Sequence, residues 1–175
     1  LLQRPAMDHS MLEAAVLEVL NNVKQNGDKA LVEFTQRFDG VLLKNIKVSD
    51  VEIAAAEQEL TTELKAAIAQ AKENIERFHA AQVQPVVKVE TMPGVQCWRK
   101  SIGIEKVGLY IPGGSAPLFS TVLMLGIPAV LAGCREIILC TPPGKDGNIH
   151  PAVLYAAKVA GITQVYKAGG AQAIA

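Results

Sequence analysis

No charged side chain occurs from residue 107 to residue 134, and that absence narrows the possible folds to two kinds. Either the segment crosses a membrane, or a protein core surrounds it. A span needs about 20 predominantly apolar residues in a row, and Pro112, Gly113, Gly114, Ser115, Pro117, Gly126 and Pro128 break this run. A buried strand, a loop and a helix account for the same residues without a bilayer. We therefore expect no membrane partner.

The rest of the second half repeats that unit. A strand over 107–111 leads into the loop Pro112-Gly113-Gly114-Ser115 and a helix over about 116–134, jogged at Gly126-Ile127-Pro128. A strand over 136–140, a loop to His150 and a helix over 151–160 with Pro151 in its first position follow. A strand over 164–166 then runs into Ala168-Gly169-Gly170 and the start of another helix. Alternation of this kind predicts a parallel sheet flanked by helices, here a partial Rossmann-like sheet.

The first half is built differently. Residues 1–90 hold 14 acidic and 10 basic side chains with two Gly and two Pro, whereas residues 91–175 hold 3 acidic and 7 basic with 12 Gly and 7 Pro. Ser10 with Glu13 forms a capping box, and Leu12, Val16, Val19, Leu20 and Val23 recur at helical spacing up to Gly27. Asp28 can cap a second helix with Leu31, Phe34 and Phe38 on one side, ended by Asp39-Gly40. After an extended stretch over 46–48, Ser49 with Glu52 opens a third helix, and Thr61 or Thr62 opens a fourth with the stripe Leu64, Ile68, Ala71, Ile75 and Phe78. Strands over 86–91 and 95–100, turned at Met92-Pro93-Gly94, make a β-hairpin, and a further strand over 104–111 leads into the second half. The expected class is α/β, with N-terminal helices and a hairpin in a unit over 1–106 and the parallel sheet in a second unit over 107–175.

Charge and cysteine usage bound the partners. The 17 basic and 17 acidic residues cancel, and no basic run interleaved with aromatics suggests nucleic acid. Cys97, Cys134 and Cys140 lack metal-binding spacing, and the last two lie in apolar stretches, so we expect reduced, buried thiols and a cytosolic protein. Leu1 does not begin a basic signal sequence, and Ala175 stops inside what reads as a new helix, so the chain is expected to be a piece of something longer.

In open α/β sheets, ligands bind where strand ends pass into helix N-termini. Two loops qualify: residues 110–117 around Gly113-Gly114-Ser115, and Ala168-Gly169-Gly170-Ala171-Gln172. Paired glycines admit close backbone approach and Gln172 can both donate and accept, but the same glycines also serve simple tight turns. Neither loop is a dinucleotide or P-loop motif. His9, His79 and His150 read as capping or surface residues, and Glu59, Glu63, Glu73 and Glu76 as solvated helix faces. Asp146 reads as turn chemistry, and none of the cysteines has an activating neighbour.

The run Val107-Gly-Leu-Tyr-Ile-Pro-Gly-Gly-Ser-Ala-Pro-Leu-Phe-Ser-Thr-Val-Leu-Met-Leu125 resembles histidinol dehydrogenases, and Ile127-Pro-Ala-Val-Leu-Ala-Gly-Cys134, Cys140-Thr-Pro-Pro143 and Gly169-Gly-Ala-Gln-Ala-Ile-Ala175 match in the same order. The resemblance extends back through Asn74-Ile-Glu-Arg-Phe-His79 and Pro93-Gly-Val95 and covers roughly the first 40% of that family's chain. It implies a homodimeric, NAD- and zinc-dependent enzyme that oxidises L-histidinol through L-histidinaldehyde to L-histidine. It assigns NAD contacts to Tyr110 and Gln172, and places zinc ligands, substrate contacts and the catalytic Glu-His pair beyond residue 175. No catalytic or metal residue is thus expected within the chain, and the 175-residue piece alone is expected to be inactive. A nucleotide-binding α/β module and a dehydrogenase of another amino alcohol are the competing expectations.

Overall fold

Glycines and capping side chains set where the first helices start and stop. In the computed structural model, which describes residues 10–114 and 116–175, α1 spans Ser10–Asn26 and α2 spans Asp28–Phe34. His9, Ser115 and the Ser10 side chain expected to cap α1 lie outside the described residues. Asp28 is not the cap of α2: Gly27, at φ 55°, takes that position, a backbone state that glycine adopts without steric penalty. Asp28 is instead the first helical residue, where its carboxylate meets the positive end of the helix dipole.

A five-residue π-turn, Thr35–Asp39, extends α2 and shifts its side-chain register. Phe34 is therefore buried while Phe38 is exposed, its ring stacked on Phe34 at a centroid distance of 5.6 Å. The expected capping box opens α3, Asp50–Gln58: the Glu52 N–H donates to Ser49 Oγ at 3.2 Å and the Ser49 N–H donates to Glu52 Oε2 at 2.8 Å. Thr61, whose hydroxyl accepts from the Leu64 N–H at 3.2 Å, caps α4, Thr62–Ala80. Within the α4 stripe Ile68 is buried and Leu64, Ala71 and Ile75 are half-buried, but Phe78 is exposed. The 19-residue α4 packs on a 13-residue neighbour, α5 (Phe119–Leu131), so its last turn overhangs.

The hairpin consists of β1, Lys88–Met92, and β2, Val95–Trp98, turned at Pro93-Gly94 with Gly94 at φ 83°. It is followed by β3 (Lys106–Tyr110), α5, β4 (Glu136–Thr141), α6 (Pro151–Val159) and β5 (Gln164–Lys167). The three later strands are parallel in the order β3-β4-β5. α5 and α6, which connect these successive parallel strands, pack on each other, as the usual right-handed crossovers would place them on one face. The expected 116–134 helix is shorter at both ends. Pro117 disfavours helical geometry at Ala116, and Gly133 closes the far end at φ 78°. Beyond Gly170, in the stretch read as the start of another helix, the backbone makes a 3₁₀ turn, Ala171–Ala173.

Three layers result: the sheet, then α5 and α6, then α4 against α5 and α3 against α6. Ala56 and Ile68 from the first half share one core with Val122, Leu123, Leu139, Ala156 and Val165 from the second. Each large aliphatic side chain so buried contributes about 1.5–3 kcal/mol. Gly126 lets α5 approach the turn before β5, because a Cβ there would meet Ile162 Cδ1 at 2.8 Å. The first half also closes one sheet edge. The Val48 N–H donates to the Val165 carbonyl at 2.9 Å, and the Lys167 N–H to the Ile46 carbonyl at 2.8 Å.

Ion pairs from Glu52 to Lys167 and from Glu57 to Lys158 reinforce the contact between the halves. Cys134 and Cys140, expected buried, are only half-buried, Cys140 because it lies on a sheet face that stays open, and Cys97 is exposed on the hairpin. All three are free thiols, and burial raises the Cys140 pKa, which keeps that thiol protonated at neutral pH. Among the described residues no helix is long and apolar enough to cross a membrane.

Candidate functional site

Because β3, β4 and β5 are parallel, the loops that follow them emerge on one side of the sheet. They interlock there through a proline. A Cβ on Gly113 would lie 2.6 Å from Pro142 Cγ, and one on Gly169 would lie 2.6 Å from Pro142 Cβ. Both glycines are thus required by packing, whatever else they do. Gly114, in contrast, has nothing within 4 Å of such a Cβ, so one glycine of that pair leaves open space beside the backbone.

Tyr110 ends β3 and is half-buried; its hydroxyl oxygen accepts a hydrogen bond from the Gly170 N–H at 3.1 Å. The phenolic proton remains available to a second partner. Gly170, at φ 61° and ψ −160°, turns the chain so that Gln172 follows it inward. A Cβ on Gly170 would lie 2.8 Å from Gln172 Oε1. Gln172 is only 2% exposed, and its Oε1 has no hydrogen-bond partner among the described residues. Buried polar atoms are nearly always paired in folded proteins, so this acceptor marks a place where a donor is missing. The structure therefore brings Tyr110 and Gln172 to one loop junction although they lie 62 positions apart in the sequence.

Gln172 stands between two hollows. The larger, about 1150 Å³, lies against the open face of the sheet and is lined by Leu31, Val32, Ile138, Cys140 and Tyr166, among others. The smaller, about 240 Å³, is lined by Ala15, Val16 and Val19 of α1, by Phe38 and Asp39, and by residues 170–172. Asp39 Oδ2 is also buried without a hydrogen-bond partner among the described residues. Burial raises the Asp39 pKa, and the nearby Lys145 ammonium opposes that rise. Lys145 Nζ also donates to the Asp39 carbonyl at 3.0 Å, tying this turn to the loop after β4.

Sequence reasoning selected the two glycine loops, Tyr110 and Gln172, but read Asp39 only as a helix breaker and Pro142 only as part of a family match. An Asp-Gly pair is ordinary turn chemistry. Nothing near Asp39 in the sequence distinguishes it from any other.

The sequence profile described as Histidinol dehydrogenase matches residues 2–175. The chain is 58% identical over 175 residues to the histidinol dehydrogenase of Bacteroides thetaiotaomicron. The chain belongs to the histidinol dehydrogenase family. It also shares 52% identity with the Escherichia coli K12 histidinol dehydrogenase, and it aligns along its whole length with both relatives while spanning 41% and 40% of theirs. A crystal structure of histidinol dehydrogenase from Elizabethkingia anophelis superposes with a TM-score of 0.93 at 54% identity, covering 98% of this chain and 40% of that one.

Among the described residues no three His, Cys, Asp or Glu side chains come together. The described histidines are used otherwise. His150 Nδ1 accepts from the Ala152 N–H at 3.1 Å and caps α6, and the His79 ring lies edge-on to Phe78 at 5.3 Å. Asp146 is occupied as the sequence suggested, accepting from the Asn148 N–H at 3.1 Å and Nδ2 at 3.0 Å, and these bonds lower its pKa. Of the glutamates read as solvated, Glu76 pairs with Lys72 one helical turn away at 2.8 Å.

Proposed function

We propose that this chain is the NAD-facing part of a histidinol dehydrogenase that, as a whole protein, oxidises L-histidinol through L-histidinaldehyde to L-histidine. The reading rests foremost on the 58% identity to a named histidinol dehydrogenase along all 175 residues. The buried, unpaired Gln172 oxygen beside the glycine loops supports it from the geometry.

NAD would supply the hydride acceptor. On the chain's side, the Tyr110 hydroxyl, which accepts from the Gly170 N–H, would donate a hydrogen bond to the dinucleotide. The Gln172 carbonyl oxygen accepts from it, and the bare backbone at Gly114 lets it approach closely. Zinc and the acid–base residues belong, on this reading, to the remainder of the family's chain, so residues 1–175 orient a cofactor without moving the substrate's protons. The homodimer comes with the same family resemblance, whereas the cytosolic location is proposed from the cysteine usage, with which the free thiols agree, and the second unit from residue 107 from the strand, loop and helix alternation.

Two measurements test this reading. The full-length protein should reduce NAD when given L-histidinol, and the 175-residue chain alone should produce no NADH. Calorimetry should show NAD affinity falling about tenfold in full-length Gln172→Ala, as a lost buried hydrogen bond implies. Oxidation of a different amino alcohol in preference to histidinol would move the substrate assignment. Unaltered affinity in the variant would remove Gln172 from the cofactor face.

A further inference from the structure

Two buried oxygens without partners, Asp39 Oδ2 and Gln172 Oε1, belong to residues lining the same 240 Å³ cleft. The cleft is far roomier than the roughly 10–15 Å³ that one water needs by the same measure, so it can admit a group larger than an isolated solvent molecule. A carboxylate and an amide oxygen are both acceptors, and the group that satisfies them must bring donors. The remaining walls do not suit a hydrated cation: Ala15, Val16, Val19 and Phe38 are apolar, and two protein oxygens fall well short of the six to eight a calcium ion takes. A pair of neighbouring hydroxyls fits both the acceptor pair and the apolar surroundings.

Dinucleotide folds usually place an acidic side chain in the second strand's loop to accept from a ribose hydroxyl. Here β4 ends in Cys140-Thr141-Pro142-Pro143 without an acid, and the first acid after it, Asp146, is held by Asn148. Lys145, from that same loop, grips the Asp39 carbonyl. The carboxylate that the β4 loop lacks is thus delivered to it from the first half of the chain.

We infer that Asp39 is a specificity-determining residue of the proposed dinucleotide face, its carboxylate accepting, with the Gln172 oxygen, from the hydroxyls of the adenosine ribose and so selecting against a 2′-phosphate. The inference rests on the reading of Tyr110 and Gln172 as NAD contacts. A 2′-phosphate would place negative charge against Asp39, and like charges brought together at an interface strongly disfavour binding. Replacing Asp39 by asparagine removes that repulsion while leaving the backbone carbonyl that holds Lys145 in place.

The test is calorimetric titration of NAD, NADP and NAD lacking the adenosine 2′-hydroxyl into the full-length protein and its Asp39→Asn variant, with melting curves to confirm folding. In the unaltered protein, NAD should bind about tenfold or more tighter than either analogue. In Asp39→Asn, NAD should weaken about tenfold and NADP should hold or tighten. Equal loss for NAD and NADP, or no loss for NAD, overturns the role of Asp39. Should the variant not fold, equal affinity of the unaltered protein for NAD and its 2′-deoxy analogue overturns it independently. If the unaltered protein binds no dinucleotide, the proposed function itself fails; if it binds NAD but Asp39→Asn is indifferent, only this inference does.

Discussion

The parallel sheet and the β1–β2 hairpin are strands of similar composition with opposite fates. Leu139 on the central strand and Val165 on β5 have no exposed surface, whereas every residue of β1 and β2 is exposed. The hairpin is nonetheless patterned: Val89 faces Cys97 and Met92 faces Val95 across it, while Lys88 pairs with Trp98 and Glu90 with Gln96. Its first set is largely apolar, and its second set is largely polar, with Lys88 Nζ 5.5 Å from the Trp98 ring centre. Alternation therefore defines which side of a strand is apolar without ensuring that anything covers it. Coverage depends on what the connections bring over, and a lone two-stranded hairpin is only marginally stable in water.

Substitutions can break or sharpen this contrast. The largest effect is expected for Leu139→Ala, a cavity in the shared core, at about 2–5 kcal/mol of stability by urea denaturation. A loss well below 2 kcal/mol would mean that the sheet region is as loosely packed as the hairpin. Gly169→Ala forces a methyl against Pro142 and should cost about 1–3 kcal/mol, while Gly114→Ala, with open space around it, should stay within about 0.5 kcal/mol. Equal effects at the two glycines would refute the interlock of the three loops. Ser49→Ala removes a capping box and should lower stability by about 1 kcal/mol.

Acid should act on the junction between the halves. Burial alone would raise the Glu52 pKa, but hydrogen bonds from the Lys167 ammonium, the Ser49 N–H and the Ser49 hydroxyl outweigh it and hold the carboxyl below its ordinary value. A depressed carboxyl contributes stability above its unfolded pKa and loses it as pH falls through the folded one. Melting temperature should therefore drop less between neutral and acidic pH in Glu52→Gln than in the parent. The smallest effect is expected in the hairpin, where Val89→Ala should change stability by no more than about 0.5 kcal/mol. A value near that of Leu139→Ala would show that the hairpin's apolar side is covered in solution.

Much of the architecture was legible in the sequence because its signals are local. The Ser49–Glu52 box, the Thr61 cap, the Pro93-Gly94 turn and the strand, loop and helix alternation after residue 106 each involve residues a few positions apart. The extended segment over 46–48 was legible as extended, but its place on the edge of β5 was not, since the partner strand is more than 100 residues away. Phe38 and Phe78 were misplaced because helical spacing cannot show a π-turn or an overhanging helix end. At the candidate site, glycine-rich strand ends pointed to Tyr110 and Gln172, while Asp39 looked like any turn aspartate.

The sequence by itself determined the elements, their caps and the loops where backbone is bare, because those follow from propensity, periodicity and turn chemistry within a few residues. Only the tertiary structure decided that Pro142 wedges between Gly113 and Gly169, that the Tyr110 hydroxyl takes the Gly170 N–H, and that Asp39 and Gln172 leave two unpaired oxygens beside one cleft. These contacts join residues brought together by crossover handedness and core packing, and no local pattern in the chain records them.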